Sequence, residues 1–368
     1  MEHDPDEQLV DELLENTDPE AKRTFWRSFG GAMKKAAIAT GSGTAWLAKS
    51  SYENKHYLVC VLNGAIGDRL ARTNDNLAIQ MSFRQRQMDV SVAALAPLID
   101  AGNGHVVVFV HGLMGNEVMW EQPFGDNEGL STKLARDHDV VPLYVRYNSG
   151  LHISQNGRAL SNLLDELVGS YGDSIKRLTL VGHSMGGLVS RSAGHYAQHQ
   201  RQQWPRLIDT MVLLGAPNDG SYLEKMGHLT SSILKSLFNL HTRIIAGVID
   251  ERSAGIKDLR LGLLVDEDWQ RPDAGSLRLR ERTTVPLMRG VHHRVIVGTL
   301  SQSEDSVVSL YFGDGLVGKR SAIGGAMSHE ADAAVDYKVF TQTGHVALMT
   351  RPEIQVYISE CLGSPVTE

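Results

Sequence analysis

The 368-residue sequence predicts an α/β protein: a mostly parallel central sheet with helices on both faces, preceded by an N-terminal extension. Two observations carry that reading. From about residue 105, short and nearly continuous apolar runs alternate with amphipathic stretches, the pattern of strands buried on both faces by crossover helices. Within that region Gly182-His183-Ser184-Met185-Gly186 stands between a strand-like and a helix-like run. The bulk composition is that of a globular chain, with 42% hydrophobic and 21% charged residues and a mean hydropathy of −0.19, and it excludes wholesale disorder.

Charge and cysteine content exclude other classes. The net charge of −7 gives no basic field for nucleic-acid phosphates, so nucleic acid is not expected as a partner. Cys60 and Cys361 are too few for a disulfide framework and lie in no zinc-binding spacing, so both are expected as packed thiols. The opening residues are acidic rather than positive and then apolar, unlike an export signal. Residues 36–48 fall short of the roughly 18 apolar residues that span a bilayer, and a cytoplasmic location is expected.

Residues 1–20 carry nine acidic groups and no Lys or Arg, and are expected as a disordered, solubilising tail. Residues 21–100 read as an extension packed on the main domain. Within it, Lys22, Arg23, Arg27, Lys34 and Lys35 lie among Phe25, Trp26, Phe29 and Met33, at a spacing that fits one helical face. Such a segment, residues 22–50, is suited to peripheral contact with an anionic membrane, although docking on the main domain is the plainer reading. Tyr57-Leu58-Val59-Cys60-Val61-Leu62, ended by Asn63-Gly64, reads as a strand, and Leu77-Ala78-Ile79-Gln80-Met81-Ser82-Phe83 as another.

The main domain, 101–368, opens with apolar runs at 105–110 and 140–145, both expected as buried strands. Leu160, Leu163, Leu164, Leu167 and Val168 mark an amphipathic helix. It leads into the strand Arg177-Leu178-Thr179-Leu180-Val181, and this strand feeds the G-x-S-x-G element, which is followed by a helix over 187–198. That context is what a nucleophile elbow requires: glycines leave room for a sharp strand-to-helix turn that presents the serine Oγ at a helix N-terminus.

On these residues the sequence resembles the α/β-hydrolases, and within them bacterial triacylglycerol lipases, with some likeness to GPI inositol-deacylase-like hydrolases. Val108-Phe109-Val110-His111-Gly112-Leu113-Met114-Gly115 is similar to the family's first oxyanion loop. The resemblance implies that the backbone N–H groups of Leu113 and Met185 form an oxyanion hole. Leu213-Leu214-Gly215-Ala216-Pro217-Asn218-Asp219-Gly220-Ser221 is similar to a family strand-end motif, except that Asn218 replaces the usual His. Gly313-Asp314-Gly315-Leu316-Val317 resembles the element that carries the triad acid, and Thr343-Gly344-His345-Val346-Ala347-Leu348 the one that carries the base.

The resemblance thus implies a Ser184, Asp314, His345 triad in the chain order of this fold. His345 would take the proton from Ser184, and Asp314 would hold the imidazole tautomer and stabilise the imidazolium. Asp305, Asp336 and Asp219 are competing acids outside a comparable motif. His111 and His183 flank the site and read as structural or pocket-lining, together with Gly112. The insertion over about 219–286 is where the family places a cap. Its stripe of Leu229, Ile233, Leu234, Leu237, Phe238 and Leu240 suits either an acyl pocket, with Leu234 and Phe238 lining it, or plain core packing. No HExxH or acidic shell suggests a metal, and no cofactor is expected. The expected activity is hydrolysis of a carboxylic ester, lipid-like in its acyl group, through an acyl-serine. Acyl transfer by the same triad and a non-catalytic, membrane-associated scaffold are the alternatives.

Overall fold

A computed structural model describes residues 53–121, 128–218, 253–270, 283–298 and 334–363. The acidic tail, residues 22–50, Asp219, Leu234, Phe238, Asp305 and Asp314 lie outside the described residues. In chain order the main elements are helix α1 (Glu53–Arg72), strands β1 (Ser82–Gln85), β2 (Met88–Val90) and β3 (His105–Val110), α2 (Leu130–His138), β4 (Val141–Arg146) and α3 (Ile153–Tyr171). They continue as β5 (Arg177–His183), α4 (Met185–Gln200), β6 (Ile208–Leu214), α5 (Ala254–Leu261), β7 (His292–Gly298), β8 (Ala334–Phe340) and α6 (Pro352–Gly363).

The strands form one eight-stranded sheet in the order β2-β1-β4-β3-β5-β6-β7-β8. Strands β3 to β8 run parallel, and β1 is antiparallel to both β2 and β4. Side-chain alternation along β3 separates two cores. Val106, Val108 and Val110 pack with Leu160 and Leu164 of α3 and Leu188 of α4. Val107 and Phe109 pack on the other face with Leu130 and Leu134 of α2 and Ile354 and Ile358 of α6. A sheet buried on both faces needs apolar residues at successive positions, and every residue of β3 is buried.

The chain passes from β3 to β4 on one side and then to β5 on the other, so the strand order reverses between β3 and β5. Such a reversal opens a crevice at the carboxyl ends of the strands. Val110 of β3 pairs with Gly182 of β5, and the segments His111-Gly112 and His183-Ser184 therefore leave the sheet side by side.

Two expected strands of the extension are corrected. Residues 57–62 belong to α1, although their β-branched and aromatic content favours a strand, because tertiary packing overrides that preference. The expected terminator, Asn63, is buried in the helix: its Nδ2 donates to Val59 O (2.9 Å) and Leu77 O (2.7 Å), and its Oδ1 accepts from Ile79 N (3.0 Å). The same contacts occupy the backbone of 77–79, and the second expected strand shrinks to Ser82–Gln85. The expected strands over 105–110, 140–145 and 177–181, the amphipathic helix through Leu160 to Val168 and the helix over 187–198 are present as β3, β4, β5, α3 and α4.

Candidate active site

Ser184 occupies the turn between β5 and α4 with φ 55° and ψ −120°. That is glycine territory, and a residue with a Cβ stays there only when its surroundings hold it. Its N–H donates to Leu214 O (2.8 Å), while Gly187 N donates to Ser184 O (3.1 Å). The neighbouring glycines are needed for space: a Cβ on Gly182 would come 2.6 Å from Gly187 N, and one on Gly186 would overlap Val110 O. Strand, turn and helix therefore pack with backbone against backbone, and Ser184 caps a 16-residue helix whose dipole favours negative charge at this end.

The turn after β3 faces it. A Cβ on Gly112 would lie 3.1 Å from Ser184 Cβ, so glycine lets this turn approach the serine closely. Gly115 N bonds Gly112 O (3.1 Å), and Met114, at φ 60°, donates its N–H to Ser149 Oγ (3.0 Å). The Met114 amide is thus occupied, and the Leu113 amide has no acceptor among the described residues. Met185 is the first residue of α4, where an N–H has no acceptor four residues back.

His345 lies in the loop after β8, at the same sheet edge. Its ring covers Gly215 at the end of β6, where a Cβ would approach Nδ1 and Cε1 to 3.0 Å; Gly215 also has φ 58°, so both space and backbone conformation favour glycine. The loop is pinned by His183, whose Nε2 donates to His345 O (3.1 Å), and the two rings are 4.5 Å apart at 45°. His345 Nε2 is buried with no hydrogen-bond partner among the described residues, so its bond to Ser184 is not made in this state. Such bonds commonly tighten only once substrate is present.

Burial sets the protonation of these imidazoles. It pushes His345 well below the ordinary histidine value, with the His183 imidazole adding to the effect. Burial likewise brings His111 and His183 to about 4, so all three are neutral at pH 7. His111 is not a second base. Tyr147 N donates to its Nε2 (3.3 Å), which makes Nδ1 the protonated nitrogen that donates to Gly112 O (2.8 Å). Tyr147 stacks on the ring at 4.3 Å and its hydroxyl bonds His111 O (2.7 Å), so His111 serves to fix the turn.

Asp336, one of the competing acids, sits in the body of β8 paired with Arg294, opposite which it lies in the ladder. Asn218, at the position of the family's usual His, is held by the buried Arg191 of α4, whose guanidinium donates to Asn218 Oδ1 (3.3 Å) and to Val285 O (2.6 Å). Sequence reasoning missed Arg191, although a lone cation on the apolar face of the helix beside Leu188 and Ala193 was a visible signal. It also missed Ser149 and Tyr147, for which no local pattern exists. Among the described residues no cluster of three or more His, Cys, Asp or Glu could hold a metal, and no helix is long and apolar enough to cross a membrane.

The mostly parallel sheet with helices on both faces and a strand-turn-helix elbow at the reversal of strand order has the architecture of an α/β-hydrolase fold. Residues 101–283 match the family model of the PGAP1-like alpha/beta domain. Uncharacterized proteins of Mycobacterium tuberculosis and Mycobacterium bovis are 24% identical over 210 residues, 52% of this chain and 55% of theirs. The chain thus spans about half the length of the curated relatives it matches. Similar solved structures include an esterase of the bacterial hormone-sensitive lipase family (14% identity, TM-score 0.43, covering 85% of this chain and 96% of that one). The mature Bacillus licheniformis lipase BlEst2 is another (16%, 0.39, 70% and 91%), as is an arylesterase (14%, 0.40, 71% and 75%).

Proposed function

We propose that the chain hydrolyses carboxylic esters with a lipid-like acyl group through an acyl-Ser184 intermediate. The observation that carries this reading is Ser184 at φ 55°, ψ −120° at the head of α4, closed on by the glycine turn that presents the Leu113 amide. His345 takes the Ser184 proton as the hydroxyl attacks the ester carbonyl, then returns it to the departing alcohol. Water, deprotonated by the same imidazole, releases the acid and restores the serine. The N–H groups of Leu113 and Met185 stabilise the oxyanion, each donor being worth about 2.7–4 kcal/mol in the transition state. Asp314 orients His345 and stabilises its cation. The lipid-like acyl group is supported by the likeness of the Asp314-Gly315-Leu316-Val317 and Gly344-His345 motifs to those of bacterial lipases.

The test is hydrolysis of p-nitrophenyl esters from acetyl to palmitoyl, with Ser184→Ala as the blank. Turnover that disappears in Ser184→Ala, with a melting temperature close to wild type, is expected, and an optimum at medium or long chains would identify the acyl pocket. Equal rates for the two proteins would overturn the assignment.

A further inference from the structure

The turn that carries Leu113 holds Met114 in the left-handed region at φ 60°, a conformation disfavoured for a residue with a side chain. It therefore needs bracing from outside, and two elements supply it. Ser149, after β4, accepts the Met114 N–H. On the other side lies α1, which precedes the matched domain and kinks at Ile66 (φ −139°, ψ 16°). At Gly64 the helix meets the turn without a side chain between them: a Cβ there would overlap Met114 Cγ and come 3.2 Å from the Met114 Cα and N.

The contact is one of several that lock α1 to the same corner. Asn148 Nδ2 donates to Gly67 O (2.9 Å), and a Cβ on Gly67 would displace the Asn148 amide. Ser253 Oγ donates to Gly64 O (2.7 Å), and a Cβ on Gly150 would strike Asn63 O. Met114 is fully buried in this junction.

We infer that Gly64 is a positioning residue: α1, through its side-chain-free contact with Met114, sets the direction of the Leu113 N–H. This rests on the proposed hydrolase reading. An oxyanion donor acts on the charge that develops in the transition state, so its misdirection lowers kcat and leaves KM largely alone.

The test is a double-mutant cycle on the full chain with the p-nitrophenyl ester that wild type cleaves best. Gly64→Ala is expected to lower kcat about tenfold or more with KM within about twofold, against the roughly 10²–10³-fold cost of losing a donor outright. In a Met114→Ala background, which removes the Cγ that the new methyl would overlap, the same change should cost distinctly less than in wild type. Leu70→Ala, which loosens α1 in its separate small core with Leu77 and Val59, should lower the melting temperature and spare kcat. An unchanged kcat in Gly64→Ala, or an equal loss in both backgrounds, overturns the inference. If Gly64→Ala does not fold, Met114→Ala alone is expected to lose kcat several-fold, and no loss overturns it. Crystal structures of wild type and Gly64→Ala, or Met114→Ala in its place, keep the two readings apart. Should wild type and Ser184→Ala be equally inert, the hydrolase reading fails, yet a displaced 113–114 backbone would still support the bracing and an unmoved one would refute it.

Discussion

Ser184 is held in a backbone conformation that costs about 1–3 kcal/mol for a residue with a Cβ. Ser184→Gly should therefore melt above Ser184→Ala, by an amount equivalent to about 1 kcal/mol once the larger chain entropy of glycine is set against the relieved strain. Calorimetry of the two inactive variants checks this, and a lower melting temperature for the glycine variant would contradict it. The partner of His345 is tested separately. A carboxylate at Asp314 would raise the imidazole pKa, opposing the downward push of burial and His183. Asp314→Asn is thus expected to cut kcat about 10³–10⁴-fold and to move the acid limb of kcat/KM to lower pH, whereas Asp305→Asn should do neither. The strand-turn-helix elbow at Ser184 could be read from the sequence because a short motif surrounds it. Ser149 could not, since it works on Met114 from 35 residues away and only folding shows the two together.

At the scale of elements, the turn after β3 continues into Glu117, a carboxylate buried between Arg146 at the end of β4 and Arg84 of β1. Arg146 Nε donates to Glu117 Oε2 (2.9 Å) and Arg84 Nε to Oε1 (3.3 Å). Burial works to raise the Glu117 pKa, but the charge and hydrogen bonds of Arg146, with Arg84 behind it, outweigh that and hold it below the usual value. Glu117→Gln would take from these two buried guanidinium groups the carboxylate they share, although Arg84 keeps its pair with Asp89. A loss of about 3–5 kcal/mol in denaturant unfolding is expected, and a loss under 1 kcal/mol would show the cluster to be slack. Arg191 plays a similar part between α4 and the loop after β6. None of these long-range pairs has a periodicity, which is why the parallel strands were legible and the ties between their loops were not. The misreading of 57–62 has the same origin: the local preference of Val59 and Val61 for a strand yields to the junction that α1 makes through Asn63, Gly64 and Gly67.

For the molecule as a whole, the sheet and both covering layers could be predicted because apolar runs recur with strand and helix periods from β3 onward. The extension resisted because its burial depends on the rest of the chain. One global property follows from histidines that folding keeps neutral. His111 and His183 are lowered by burial from 6.5 to about 4, and His293 to about 3. Between those values the unfolded chain holds more protons than the native one. Their contribution to stability is complete above about pH 6.5 and is lost as pH falls toward 4, each histidine contributing a slope of about 1.4 kcal/mol per pH unit within that window. Melting temperatures measured from pH 8 to 4.5 should be level at first and then fall, and a level curve throughout would refute it. A different consequence follows from how backbone amides are distributed around the serine. Ser184 and Met114 give their N–H groups to Leu214 and Ser149, while the amides of Leu113 and Met185, one residue away in each case and the proposed oxyanion donors, have no acceptor among the described residues. Deuterium exchange should therefore be slow at Ser184 and Met114 and fast at Leu113 and Met185, with the fast pair becoming slow when a tetrahedral adduct forms on Ser184.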